Sequence, residues 1–216
     1  MHSWLSQKQN KWISYTRNLL VDKARTDYIV IQDSDDISLP HRLASLIGFL
    51  SQHDDYAVVW GHNTIINEKG DIIGNRKYSD NIKNIILKKN PLSQPTCMFR
   101  KDIFYEVGGY DKDINYWEDY DLWLKFHAAW YKIKNLDECL VQYRIHNNQS
   151  KQKSLRETLK NTIFIQNRAM RTYGIFPSIS DRVYHIGERL LLLFPDNFIL
   201  FLFKKRLKIG TFSCTP

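Results

Sequence analysis

At 216 residues with 43% hydrophobic and 13% aromatic content, the chain can bury one sizeable core, which excludes a disordered polymer and favours one globular domain with a tail. A net charge of +8 and a pI near 9.3 point to an anionic partner, whether nucleic acid, an anionic membrane surface or a phosphorylated substrate. Cys97, Cys139 and Cys214 are widely spaced and odd in number, giving neither a disulfide framework nor a C-x-x-C knuckle, and the N-terminus lacks the basic-then-apolar pattern of a secretory signal; both favour the cytoplasm.

In chain order, a helical pattern over residues 12–24 leads into an apolar strand, Tyr28 to Gln32. That strand runs directly into Asp33-Ser34-Asp35-Asp36, three carboxylates within four residues. Neighbouring carboxylates repel unless water, donors or a cation relieve them, and a hard divalent cation sharing a substrate's phosphates is the usual relief. The plainer alternative is a polar turn in which Asp36 or Ser38 caps the next helix. That helix starts near Pro40 and places Leu43, Leu46, Ile47 and Leu50 on one face. An EF-hand is excluded at Asp33, because Ile37 and Ser38 stand where an acid or amide and a glycine belong; the Asp111-x-Asp113 run fails likewise at Tyr116 and Leu122.

Further on, Ala57 to Trp60 reads as a strand, Asn63 to Ile73 as a hairpin turning at Glu68 to Asp71, and Thr96 to Phe99 as another strand. A helix from Asp102 stops at Gly108-Gly109, and one from Glu118 directs Leu122, Trp123, Phe126 and Trp130 inward. Ile133 to Leu136 and Leu140 to Arg144 read as two short strands, and Ser154 to Thr172 as a helix ended by Gly174. This alternation predicts an α/β fold, a sheet with helices on both faces, whose ligands bind outside the carboxyl ends of the strands.

Five short motifs stand in fixed order: Thr16-Arg17-Asn18; Asp33-Ser-Asp35-Asp36 with Pro40 and Arg42; Val107-Gly108-Gly109-Tyr-Asp111; Trp117-Glu118-Asp119-Tyr-Asp121; and Tyr143-Arg144-Ile-His146. The order resembles glycosyltransferase family 2, nucleotide-sugar-dependent enzymes of the GT-A fold, from about Trp12 to Ser150. The resemblance implies a GT-A-like, Rossmann-like mixed sheet. It also implies a D-x-D element at Asp33 and Asp35 holding Mn²⁺ or Mg²⁺, with Asp35 as direct ligand and His146 completing the shell. Asp119 is implied as the catalytic base of an inverting transfer. Substrate-binding positions are Arg17 and Asn18 in the helix before the metal strand, Asp36 in the acid loop, Gly108 and Gly109 beside the donor sugar, and Trp117 and Glu118 beside the base.

These residue types suit the chemistry: a cation neutralises charge on a leaving diphosphate, and a positioned carboxylate takes the proton of an attacking hydroxyl. Family members open with a strand-helix-strand unit for the nucleobase, which this chain does not match, so residues 1–150 are expected to be a partial, N-terminally truncated GT-A domain and 151–216 a helical tail. In the tail, apolar Leu190 to Phe203 is followed by basic Lys204 to Lys208. The apolar runs are too short to span a bilayer, which needs about 20 residues. Residues 190–208 therefore either lie on a membrane or pack as a helix pair on the domain or a second subunit. The expected activity is transfer of a sugar, from a UDP-sugar in particular, to a glycan or lipid-linked glycan of the cell surface, without nucleic acid as partner and at or near the inner face of the cytoplasmic membrane. The alternative is an inactive remnant that binds glycan or a partner.

Overall fold

The computed structural model describes residues 12–114, 116–146 and 155–199. Helix α1 (Ile13–Lys23) leads to β1 (Tyr28–Val30), the acid loop, the two-residue strand β2 (Ile37–Ser38) and α2 (Arg42–Leu50). A hairpin of β3 (Tyr56–Ile66) and β4 (Ile72–Arg76) follows, then β5 (Met98–Arg100), α3 (Lys101–Glu106), α4 (Glu118–Ala128), β6 (Lys132–Arg144), α5 (Leu155–Thr172) and α6 (Ile179–Leu191). The strands form one mixed sheet in the order β1-β5-β3-β6-β2, with β4 beside the end of β3. Among the described residues, β3 and β6 are the parallel pair and the other pairings are antiparallel.

Side-chain alternation along the strands builds two cores. Val58 and Trp60 of β3 and Phe99 of β5 pack with Val21 of α1, Phe104 of α3, Trp123 and Phe126 of α4 and Ile165 of α5. Val59, Met98, Leu140 and Val141 face the other way, onto Leu46 and Leu50 of α2. Helices therefore cover both faces, as the α/β pattern predicts. Ile165 belongs to the same core as the sheet, so α5 is part of that packing.

Several local expectations change. The two short strands over 133–144 are one strand, β6, in which Asn135 pairs with Trp60 and Cys139 with His62, so Leu136 to Glu138 bulge out of register. Opposite the bulge stands Gly61, where a Cβ would lie 2.6 Å from the Glu138 carbonyl oxygen; only a glycine allows that approach. Leu43 and Ile47 of α2 are exposed; only Leu46 and Leu50 of the expected face are buried. Trp130 does not extend the buried side of α4 and is 91% exposed. The helix ends first: the Tyr131 N–H reaches the Phe126 carbonyl at 3.1 Å and Trp130 takes φ 66°, a left-handed C-terminal cap that swings the indole outward. Cys97 is a buried free thiol.

Candidate functional site

The acid loop crosses from one end of the strand order to the other. β1 delivers it from one edge, and β2, paired with β6 through Ile37–Gln142 and Ser38–Val141, receives it at the other. It thus runs beside the carboxyl ends of the parallel strands β3 and β6, where such sheets place ligands. The loop is closed internally by the Gln32 side-chain amide, which donates to the carbonyls of Asp33 at 2.9 Å and Asp36 at 3.0 Å. Beneath it, the fully buried Arg42 donates to the Gln32 side chain at 2.6 Å and the Ile31 carbonyl at 2.9 Å. Burial lowers the Arg42 pKa, against the fields of Cys97, Asp36 and Asp33.

Arg144, the last residue of β6, ties this loop to the β3–β4 turn. Its backbone N–H donates to Asp36 Oδ1 at 2.9 Å, its Nε to the Asp35 carbonyl at 2.9 Å, and its Nη1 to the carbonyls of Asn67 at 3.0 Å and Glu68 at 3.1 Å. Two residues on, His146 Nε2 lies 3.0 Å from Asp35 Oδ2, so two of the expected metal ligands meet from positions 111 residues apart. Asp33 is not brought in with them: among the described residues no three His, Cys, Asp or Glu side chains converge as a metal-holding group. Asp36 Oδ2 is buried with no hydrogen-bond partner. The Asp36 carboxyl is pushed up to about 6, by burial first and then by Asp35 and Asp33, although the Arg144 N–H draws it down.

The second half of the site is built on α4. Trp117 precedes the helix with φ 68°, a left-handed conformation that costs a non-glycine residue about 1–2 kcal/mol. Strain of this kind collects where a loop must present particular groups. Glu118 and Asp119 are both buried at the helix start, beside its positive dipole end. Asp119 Oδ2 accepts from the Asn90 side-chain amide at 3.0 Å and Oδ1 from the Tyr120 N–H at 2.8 Å, which fixes the carboxylate plane. Glu118 forms an ion pair with Arg17 of α1, and Arg17 also lies over the Tyr110 ring at 5.8 Å.

Asn18 has a different task from its neighbour. Its Nδ2 donates to the Tyr110 carbonyl at 2.7 Å while its Oδ1 accepts from the Tyr110 N–H at 3.0 Å, so it clamps the turn after α3. Gly108 and Gly109 form that turn, with φ 84° and 62° and N–H bonds back to the carbonyls of Tyr105 and Phe104. A Cβ at Gly109 would stand 2.9 Å from the Phe104 ring and 3.0 Å from Asn18 Oδ1, so the glycine is required twice over. Lys125 of α4 donates to the Gly109 carbonyl at 2.8 Å and pairs with Asp121 at 3.1 Å, joining the glycine turn to the helix that carries Asp119.

Buried Cys97 lies within the field of both halves: burial raises its thiol pKa, Asp119 raises it further and Arg42 lowers it. Asn90 and the bracing role of Arg144 were not readable from sequence. Asn90 sits in a loop beside Pro91 with no periodic signal, and the carbonyls that the Arg144 guanidinium reaches are main-chain groups that no side-chain motif records.

Comparison with known proteins falls on these same elements. Residues 4–108 match the family described as Glycosyl transferase family 2. The chain is 39% identical over 147 residues to the O-antigen biosynthesis glycosyltransferase WbnJ of Escherichia coli, covering 66% of this chain and 57% of that protein. It is 26% identical over 203 residues to the E. coli UDP-Gal:alpha-D-GlcNAc-diphosphoundecaprenol beta-1,3-galactosyltransferase, covering 92% of this chain and 72% of that one. Its fold matches the crystal structure of S. aureus TarS 1-349 in complex with UDP-GlcNAc, with a TM-score of 0.55 at 12% identity over 84% of this chain and 61% of that chain. The chain thus spans little more than half the length of WbnJ. The family match covers the acid loop and ends on the glycine turn, and the shared architecture is that of a GT-A-like α/β fold; over residues 4–108 the chain is similar to glycosyl transferase family 2.

Proposed function

We propose that this chain carries the acid-loop and base portion of an inverting, metal-dependent glycosyltransferase that moves a sugar from a UDP-sugar to a glycan or lipid-linked glycan during synthesis of a bacterial surface polysaccharide. The observation that carries the reading is the meeting of Asp35 and His146 over the strand ends, on a loop whose neighbour Asp36 holds a buried oxygen without a partner. One carboxylate oxygen and one imidazole nitrogen suit Mn²⁺ or Mg²⁺, which bind through one or two protein ligands and complete their shell with phosphate oxygens and water. Asp35 and His146 would hold the cation, with Asp33 and Asp36 adding negative field. When bound, it supplies charge neutralisation at the departing diphosphate.

The remaining work falls to the chain's own groups. Asp119, with its carboxylate plane set by Asn90 and the Tyr120 N–H, accepts the proton of the acceptor hydroxyl. Arg17, through Glu118, fixes the start of α4 against α1. Trp117 offers an aromatic surface for a sugar face. The donor class draws support from the UDP and UDP-GlcNAc complexes of TarS, and the acceptor class from the name of the diphosphoundecaprenol-dependent relative. A lipid-linked acceptor would bring the work to a membrane surface. Among the described residues no helix is long and apolar enough to cross a membrane.

The test measures sugar transfer by the whole protein with Mn²⁺, a UDP-sugar and a lipid-diphosphate-linked acceptor, for wild type and Asp119→Asn. The variant is expected to bind UDP as wild type does and to lose at least about 10²-fold in turnover. Retention of more than a tenth of the wild-type rate would remove Asp119 from the role of base, and a Mn²⁺ affinity unchanged by Asp35→Ala would remove Asp35 as ligand.

A further inference from the structure

Helix α6 is amphipathic with its faces reversed. Its buried residues are Asp181, His185 and Glu188. Asp181 closes a capping box with Ser178 and lies 3.4 Å from Lys88, and His185 Nε2 lies 2.7 Å from the Leu87 carbonyl, so the polar side is the one held against the domain. The apolar side faces out. Ile179, Val183, Ile186, Leu190 and Leu193 recur at four- and three-residue steps on one stripe, with exposures of 84%, 65%, 56%, 52% and 79%. A stripe of this length on a soluble surface marks an interaction site, because isolated exposed apolar residues need no explanation but a contiguous row of them does.

The charge along the stripe selects the occupant. Helical spacing puts Arg182 and Arg189, both exposed, along one margin, and both acids of α6 lie on the inward face. The outward surface therefore offers hydrocarbon edged by cations. A second copy of the chain would bring arginines against a matching surface that has no α6 acid to receive them. An anionic lipid surface supplies both the hydrocarbon and the negative charge. The sequence beyond Ile199 repeats this chemistry, Leu200-Phe-Leu-Phe203 followed by Lys204-Lys-Arg206-Leu-Lys208.

We infer that the outward face of α6 is a docking surface for an anionic lipid bilayer, with its apolar stripe in the headgroup–acyl boundary and Arg182 and Arg189 at the phosphate level. The inference stands apart from the transferase reading, since binding to vesicles is measured without turnover. In co-sedimentation, the full chain is expected to bind phosphatidylcholine vesicles containing phosphatidylglycerol and to bind pure phosphatidylcholine vesicles at least about tenfold more weakly, a preference that shrinks with added salt. Ile186→Ser with Leu190→Ser should lower binding by about tenfold or more. Arg182→Gln and Arg189→Gln should each lower it by about fivefold on anionic vesicles only. All four side chains are exposed, so circular dichroism should report an unchanged fold. Binding unaffected by the serine pair would overturn the inference, as would absence of binding to either vesicle. So would a dimer, seen by analytical ultracentrifugation, that the serine pair dissociates, which would assign the stripe to a second copy.

Discussion

The acid loop and α6 depart from the ordinary inside–outside rule in opposite senses. In the loop, polar groups are buried beyond the supply of partners: Asp36 Oδ2 and Arg42 Nε make no hydrogen bond, and the Asp36 carboxyl is held up near pH 6. On α6, polar groups are packed inward and a row of aliphatic side chains is turned to solvent. A domain stable by only about 5–15 kcal/mol keeps such exceptions where another molecule's chemistry completes them. A buried acid excess suits a cation with phosphate, and an exposed apolar stripe edged by arginine suits lipid. The two carboxylates at the centre of these regions make the contrast sharp. Burial raises Asp36, whereas at Asp181 burial is outweighed by hydrogen bonds from Ser178 and by Lys88, and its pKa falls.

The largest test of the contrast is Arg42→Ala. It strips the support from beneath the acid loop, leaving the Gln32 side chain and the Ile31 carbonyl without their donor, and should cost about 3–5 kcal/mol in urea unfolding. A loss below about 1 kcal/mol would mean that the buried guanidinium is not what supports the loop.

Asp36→Asn tests the loop from the other direction. The folded carboxyl titrates near pH 6 against 3.8 when unfolded, so between these values the folded state keeps a proton that the unfolded chain has released. Stability from this group is therefore highest below its unfolded value and falls as pH rises through about 6. Asparagine removes the penalty, so the variant should be more stable than wild type at pH 7–8, by at most about 3 kcal/mol, with the gain gone at about pH 4. Thermal melts across pH check the sign; a variant destabilised at pH 8 would mean that the burial penalty is met by partners of Asp36.

Asp181→Ala should show the opposite pH dependence and a smaller size. Its depressed pKa gives stability that is present above 3.8 and lost as pH falls through the folded value. Loss of the capping box should cost about 1 kcal/mol at pH 7 and progressively less in acid. Smallest of all, Val183→Ser on the outward stripe should change unfolding free energy by no more than about 0.5 kcal/mol. A cost of several kcal/mol would show that the stripe is part of the core.

Much of the frame was legible because it is local. Strand, acid loop and helix followed from hydrophobic period and Pro40; the end of α3 followed from Gly108-Gly109 and that of α5 from Gly174, positions where a left-handed backbone calls for glycine. The joining of Asp35 to His146 was implied by the family resemblance, but the contact itself needed β6 to run parallel to β3 and end beside the acid loop.

Local pattern was thus enough for the strand, acid loop and helix near the N-terminus, the alternation that makes an α/β sheet, and the residue types gathered at its strand ends; it showed neither β2 nor α6 and divided β6 in two. Which side of each amphipathic helix turns inward was settled by packing alone. The spacing of Ile179, Val183, Ile186 and Leu190 is the same whether the stripe meets a core or solvent, and the outcome turned on Lys88 and the Leu87 carbonyl, which receive the polar face of α6. The same holds for Trp130, whose place depends on where α4 stops, and for Leu136 to Glu138, whose polar residues read as a break until Gly61 on the neighbouring strand makes room for a bulge. Periodicity records that a residue has a face; what occupies that face is set by contacts between segments distant in the chain, which no local pattern contains.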